Sequence, residues 1–329
     1  MFRKRQAIPA VLLATAVLAA SACGTADGNT PTTLVLGHAW SATDANAVAV
    51  QDFADEIAEA SDGSLRVEVY PSGQLGDDAE ALEGLGLGTV DMWVGGSGVY
   101  SQMTPVGQFL VLPYLFDDID EAMDVYTGDL GERVADRITA DTGTRVVSWW
   151  PRGARHLTLN ERATTPADIA GLRIRVPENP MILRTWAELG ASPTPMAFGD
   201  VLTALEQGAL EGQENPLTTI DSAGLSVAQS TLILTGHVIE PTAVSIGDDA
   251  WDRLTGEQRD ILTTAASGAV RTGLLDYVRS QEKLLVDKLA EDGMTVVEPD
   301  RQAFRERTAS LAAEAGPVVE DLYRRVVSR

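Results

Sequence analysis

The sequence predicts an α/β protein of two domains joined by strands that cross between them. Three observations carry this. The chain has 329 residues, more than one small core organises. Short apolar segments of period 2 alternate with longer segments of helical period. No Pro- or Ser-rich joint separates the halves, so crossing strands and a cleft between the domains are expected.

The elements follow in order. "TLVLGHA" (33–39) is short and apolar, and reads as a strand. "AVAVQDFADEIAEAS" (47–61) has helical periodicity, and "LRVEVYP" (65–71) alternates at period 2. "DDAEALEGLGLG" (77–88) opens with acids suited to a helix N-terminus and closes in glycine. "VDMWVGG" (90–96) is the next strand. This β-α-β-α-β rhythm predicts a largely parallel sheet with helices on both faces.

The second half repeats the style. "TRVVSWW" (144–150) and "HLTLN" (156–160) read as strands. "TTPADIAG" (164–171) reads as one helical turn, with Thr165 as N-cap, Pro166 at N1, Asp168 at N3 and Gly171 closing it. In "GLRIRVPENP" (171–180), Leu172, Ile174 and Val176 alternate with Arg173 and Arg175, so both arginines are expected on one face of a half-buried strand. Helices are expected over 180–190 and 198–208. The segment 257–293 keeps helical period beyond the length of an ordinary domain helix, with Gly268 and Gly273 as points where it can bend.

Composition narrows the function. A net charge of −23 argues against nucleic acid, whose phosphates need a basic face. Past the first residues no run of 18 apolar residues occurs, so no membrane span is expected. "MFRKRQ" and "AIPAVLLATAVLAA" supply the basic and apolar regions of an export leader, too short to span a bilayer. Cys23 is the single cysteine, which excludes an internal disulfide or a Cys-rich zinc site. The polar residues that follow it make a tether over 23–32.

Enzyme signatures are absent. The three histidines, His38, His156 and His237, lie in no metal-binding spacing, and no phosphate-binding loop occurs. "GGSGVY" (95–100) would need glycine at Val99 to match a nucleophile elbow. No cofactor and no metal are expected. An extracellular enzyme acting on carboxylates would have only His38 as its acid or base.

Positive charge gathers in one place. Residues 145–176 hold six arginines, at 145, 152, 155, 162, 173 and 175, against Glu161 and Asp168, and no lysine. Arginine's planar fork grips a carboxylate bidentately. Arg145, Arg162 and Arg173 are expected to pair with surface acids, and Arg155 and Arg175 to meet a ligand.

Two resemblances extend this reading. "ASAC" ending at Cys23 resembles a bacterial lipoprotein signal, although Ala20 stands where that signal usually has Leu. The resemblance implies cleavage after residue 22, a lipid on Cys23, and an extracytoplasmic protein held to the membrane by that lipid alone; an ordinary secretory leader is the alternative. "GARHLTLNERATTPADIAGLRIRVPENP" (153–180) and "ELGASPTPMAFGDVLTALEQGALEGQENP" (188–216) resemble the solute-binding proteins of TRAP transporters of the dicarboxylate-binding type. "VEVYPSGQLGDDAEALEGLGLGTVDM" (67–92) and "LGHAWSATDANAVAVQDFADEI" (36–57) extend the match.

That family implies a periplasmic-binding-protein-like fold with a long helix bracing both domains. It places domain I at 33–152 plus about 241–280, and domain II at 153–240 plus about 281–329 with the C-terminal helices. It implies capture of a small carboxylate (a C4-dicarboxylate, sugar acid, or keto or hydroxy acid) and delivery to a membrane permease; a receptor kinase is the alternative recipient. Arg175 matches the family's carboxylate anchor, Arg155 its second arginine, Asn215 its asparagine and Phe198 its packing aromatic, with Trp40 and His38 on the opposite wall. Members that bind sialic acid carry a glutamate where Gly96 stands, which weighs against that ligand.

Overall fold

Two sheets organise residues 31–329, the part of the chain that the computed structural model describes. The expected leader, Cys23 and nearly all of the expected tether lie outside the described residues. The strands are β1 (Thr32–Gly37), β2 (Leu65–Tyr70), β3 (Met92–Gly96), β4 (Thr144–Trp150), β5 (Arg155–Leu159), β6 (Arg173–Val176), β7 (Ser192–Pro195), β8 (Gly212–Pro216), β9 (Thr231–Ile233), β10 (Thr242–Gly247) and β11 (Thr295–Val297). The first sheet has the order β2-β1-β3-β10-β4 and the second β11-β9-β5-β8-β6-β7. Each sheet with its packed helices is called a lobe below.

β1 runs parallel to β2 and β3, as the sequence rhythm predicts. The sheets as wholes are mixed. β10 is antiparallel to β3 and β4, and β5 is antiparallel to β8 and β9. The cause is the connection between lobes. The chain leaves β4 and enters β5 of the other sheet after only residues 151–154, and it returns from β9 to β10 through 234–241. A strand that arrives straight from the other sheet has no crossover helix to turn it parallel to its neighbours.

The helix Ala45–Ala60 starts at Asp44, whose side chain accepts from the Asn46 amide. Its buried Val50, Phe53 and Ile57 share one face and pack with Leu34, Leu36, Met92 and Trp150. The helix Asp78–Leu87 has a capping box between Asp77 and Glu80 and ends at Gly88, where φ is +70°. The expected single turn forms at Pro166–Ile169 with the Thr165–Asp168 capping box.

The long helical segment is two helices. Gly256–Ser267 and Ala269–Glu291 meet at Gly268, while Gly273 lies inside the second without interrupting it. The helix Ala269–Glu291 spans both lobes. Leu274 joins the first sheet's core, and Leu285 and Leu289 pack with Leu217, Ile220 and Leu232 of the second. The C-terminal helix Pro317–Val327 packs on the 3-10 segment Pro105–Val111 of the first lobe. No helix among the described residues is long and apolar enough to cross a membrane.

Candidate functional site

A cleft enclosing about 830 Å³, its mouth included, opens between the sheets. It gathers the carboxyl ends of β3 and β6, the first residues of the helix Asp78–Leu87, and both segments that cross between the lobes. Open α/β sheets hold ligands outside the carboxyl ends of their strands.

The arginine strand forms at β6, but its two arginines part company. Ile174 and Val176 are fully buried in the core. Arg173 is exposed at the strand's start, where its Nε donates to Glu211 Oε2 at 3.0 Å. Arg175, 3% exposed, lies in the cleft wall. Its Nε and Nη2 donate to the Met196 carbonyl at 2.9 and 2.6 Å, and its Cζ stands 5.8 Å from the centre of the Phe198 ring. No side-chain carboxylate among the described residues bonds to it. Burial draws its pKa down to about 10, so it stays cationic at neutral pH.

Arg155 also reaches the cleft wall, but its fork is turned to the protein. Nε and Nη2 donate to Glu214 Oε2 and Oε1 at 2.5 and 2.7 Å, and Nη1 donates to Glu240 Oε1 at 2.8 Å. Nη2 also reaches the Glu214 carbonyl at 3.0 Å and Asn215 Oδ1 at 3.3 Å. Burial works to raise the Glu214 carboxyl, but Arg155 and His237 overcome it and hold the pKa at about 2. Burial keeps His237 neutral, with its pKa below the ordinary value. Glu214 can only accept, so Nε2–H of His237 donates to it at 3.0 Å while Thr235 Oγ1 donates to Nδ1 at 2.9 Å.

Arg152 is a site residue that the sequence did not single out. It is 5% exposed, lines the cleft, and donates from Nη1 to Glu240 Oε1 at 3.2 Å. Its Cζ lies 5.7 Å from the Trp40 ring, and its Nε has no partner among the described residues. The positive charge of residues 145–176 is therefore not an excess in space. Glu214 and Glu240, from outside that window, neutralise Arg155 and Arg152. Arg145 pairs with Asp248 at 3.4 Å and stacks on Trp251, Arg173 pairs with Glu211, and Arg162 is exposed. Arg175 is the cleft arginine left without a carboxylate.

The remaining expected residues separate into those on the cleft and one behind it. Trp40 (4% exposed) and Phe198 line the cleft. Asn215 lines it too, from within β8 rather than from a loop before a helix; its Nδ2 donates to Gln213 Oε1 at 2.6 Å. His38 is absent from the lining: it is 1% exposed, its ring centre 5.6 Å from that of Trp40, and burial lowers its pKa to about 4. It supports Trp40 from behind, as a neutral ring.

Asp78, Asn179 and Glu240 line the cleft without having been expected. Asn179 had a signal, because an Asn before Pro180 suits an N-cap; its Oδ1 accepts from the Met181 and Ile182 amides. Its Nδ2 also donates to the Gly98 carbonyl at 2.7 Å, tying the lobes together beside the cleft, where Gln102 also donates to the Glu178 carbonyl. Elsewhere between the lobes, Asp44 Oδ2 accepts from Thr219 Oγ1 at 3.1 Å and Ser222 Oγ at 3.2 Å. Asp78 accepts from Trp93 Nε1 at 2.9 Å. A Cβ on Gly95 would stand 2.5 Å from that Nε1 and 2.9 Å from Asp78 Oδ1, so this pair fits only beside a glycine.

Comparison with known proteins gives this geometry a family. Residues 36–316 match the bacterial extracellular solute-binding proteins, family 7. A solute-binding protein of Roseobacter denitrificans is 35% identical over 303 residues, covering 88% of this chain and 90% of that one. A solved structure of a TRAP periplasmic solute-binding protein from the same organism, with bound L-galactonate, superposes with a TM-score of 0.82 at 33% identity, covering 89% of this chain and all of that one. The sialic acid-binding periplasmic protein SiaP of Vibrio cholerae is 33% identical, covering 91% of this chain and 92% of its own. A TRAP solute-binding protein of Polaromonas bound to D-erythronate superposes with a TM-score of 0.85 at 30% identity, covering 90% and 98%. The chain belongs to family 7 of the bacterial extracellular solute-binding proteins, which bind solutes rather than transform them.

Proposed function

We propose that this family member captures a small hydroxylated carboxylate of the sugar-acid class outside the cytoplasm and delivers it to a TRAP-type permease. One observation carries the reading: Arg175 is buried in the cleft wall with a guanidinium to which no side-chain carboxylate among the described residues bonds. Burying a cation without a counter-charge is costly, and a ligand carboxylate offsets that cost. The galactonate, erythronate and sialic acid named for its relatives all carry such a group.

In this reading Arg175 is the anchor, Phe198 and Trp40 are the apolar walls, and Asn215 orients the ligand. Arg155 acts as a positioning residue held by Glu214 and Glu240, and His38 backs Trp40. A Cβ at Gly96 would stand 3.0 Å from Arg152 Nη1 and 3.1 Å from Glu240 Oε1, so that wall is already filled by the Arg152–Glu240 pair. This supports a ligand smaller than sialic acid. Domain I (33–152 plus about 241–280) and domain II (153–240 plus about 281–329) close on the ligand about the segments 151–154 and 234–241.

A thermal-shift panel of aldonates, uronates, keto acids, dicarboxylates and neutral sugars tests the reading. One carboxylate at 100 times its dissociation constant is expected to stabilise the fold by about 2.7 kcal/mol. Shifts with neutral sugars alone would contradict it.

The same proposal includes a lipid on Cys23, supported by the "ASAC" signal and by the polar tether that follows. Cys23→Ser is expected to move the protein from the membrane fraction to the soluble fraction of cells. Unchanged fractionation would sink the lipid anchor and leave solute binding untouched.

A further inference from the structure

We propose that the cleft accepts one carboxylate and rejects a second, so that the ligand is a polyhydroxy monocarboxylate, and that Asp78 is the residue enforcing this choice. The inference rests on the carboxylate-binding reading above and narrows it.

Three arginines line the cleft wall. Arg155 is spent on Glu214 and Glu240, and Arg152 shares Glu240. Only Arg175 has no carboxylate bonded to it among the described residues, so the cleft offers one guanidinium free to pair with an acid. No lysine or histidine is among the lining residues.

The other wall has the opposite character. Asp78 sits there on the first lobe, at the start of its helix, with Asp77 beside it; Glu178 lines the cleft from the second lobe. Asp78 is fixed by the Trp93 N–H and seated by the missing side chain of Gly95. No arginine or lysine among the described residues forms an ion pair with it. Burial raises its pKa, and the Trp93 N–H together with the charges of Arg152 and Arg175 only partly counters this. A ligand hydroxyl can donate to such a carboxyl. A second ligand carboxylate would meet like charge, or would have to take up a proton, and either lowers affinity.

Titration calorimetry on the purified protein decides the point, with pairs of acids of equal chain length and like configuration that differ only at the far carbon, a CH2OH in one and a carboxylate in the other: erythronate against meso-tartrate, and galactonate against galactarate. For whichever pair binds, the diacid is expected to bind at least tenfold weaker. Asp78→Asn, which keeps an oxygen for the Trp93 N–H, is expected to narrow the gap to under threefold by strengthening the diacid. A diacid binding as tightly as its monoacid would overturn the inference while leaving the carboxylate reading intact. An Asp78→Asn variant that weakens both acids equally would reduce Asp78 to a structural role and overturn it as well. Binding of neither acid by the wild-type protein, together with no carboxylate response in the thermal-shift panel, would remove the reading and the inference with it.

Discussion

Arg175→Ala is expected to lose carboxylate binding and keep the fold. Removing one partner of a buried, hydrogen-bonded charge pair costs about 2–5 kcal/mol of binding, on the order of 30- to 5,000-fold in dissociation constant. The stability of the protein without ligand responds differently. The substitution gives up the bonds to the Met196 carbonyl and the contact with Phe198, but it also removes a buried cation to which no side-chain carboxylate among the described residues bonds. These effects oppose each other, and the expected change in unfolding free energy is within about 1 kcal/mol. Arg175→Lys keeps the charge but not the fork, and is expected to recover only part of the affinity. Calorimetry and denaturant unfolding on the same samples separate the two quantities. A large loss of stability in Arg175→Ala would mean that the residue holds the protein together rather than the ligand.

Glu214→Ala has the reverse signature. Glu214 is fully buried and accepts from Arg155 and from His237, and Arg155 in turn donates to Glu240 and Asn215. Its removal leaves Arg155 half-paired and His237 Nε2–H unpaired, and breaking a buried ion pair of this kind costs about 3–5 kcal/mol of stability. The same group predicts a pH dependence. The Glu214 pKa is held at about 2, against an ordinary value of 4.5. Its contribution is therefore complete above pH 4.5 and is lost as pH falls toward 2, because the unfolded chain takes up the proton first. Chemical unfolding followed from pH 5 to pH 2 is expected to show a steep loss in the wild-type protein and a shallower one in Glu214→Ala. Equal slopes would place the acid sensitivity elsewhere.

These expectations mark where the sequence was informative. The alternation in β6 was visible because Ile174 and Val176 enter the core, and the turn capped by Thr165 because its partner Asp168 lies three residues away. The neutralisation of Arg155 was not visible, because Glu214 and Glu240 lie 59 and 85 residues further on and look like any other acids in an acidic chain. β8 was hidden for a related reason. "GQENP" is polar and reads as a loop, yet all five residues are buried and its polar side chains bond to one another and to β5. The antiparallel β10 has no local signal either, since strand direction is set by the lobe from which the chain arrives. The family resemblance implies His38 on the cleft wall, but its ring is buried behind Trp40.

The central claim is that Arg175 and a ligand carboxylate form one pair. The most direct measurement is a thermodynamic cycle by calorimetry: an aldonate and its neutral primary amide, each titrated into the wild-type protein and into Arg175→Ala. The account expects the wild-type protein to prefer the acid by at least a hundredfold and the variant to treat acid and amide nearly alike. A preference for the acid that survives in Arg175→Ala would assign the carboxylate to another residue and contradict the account.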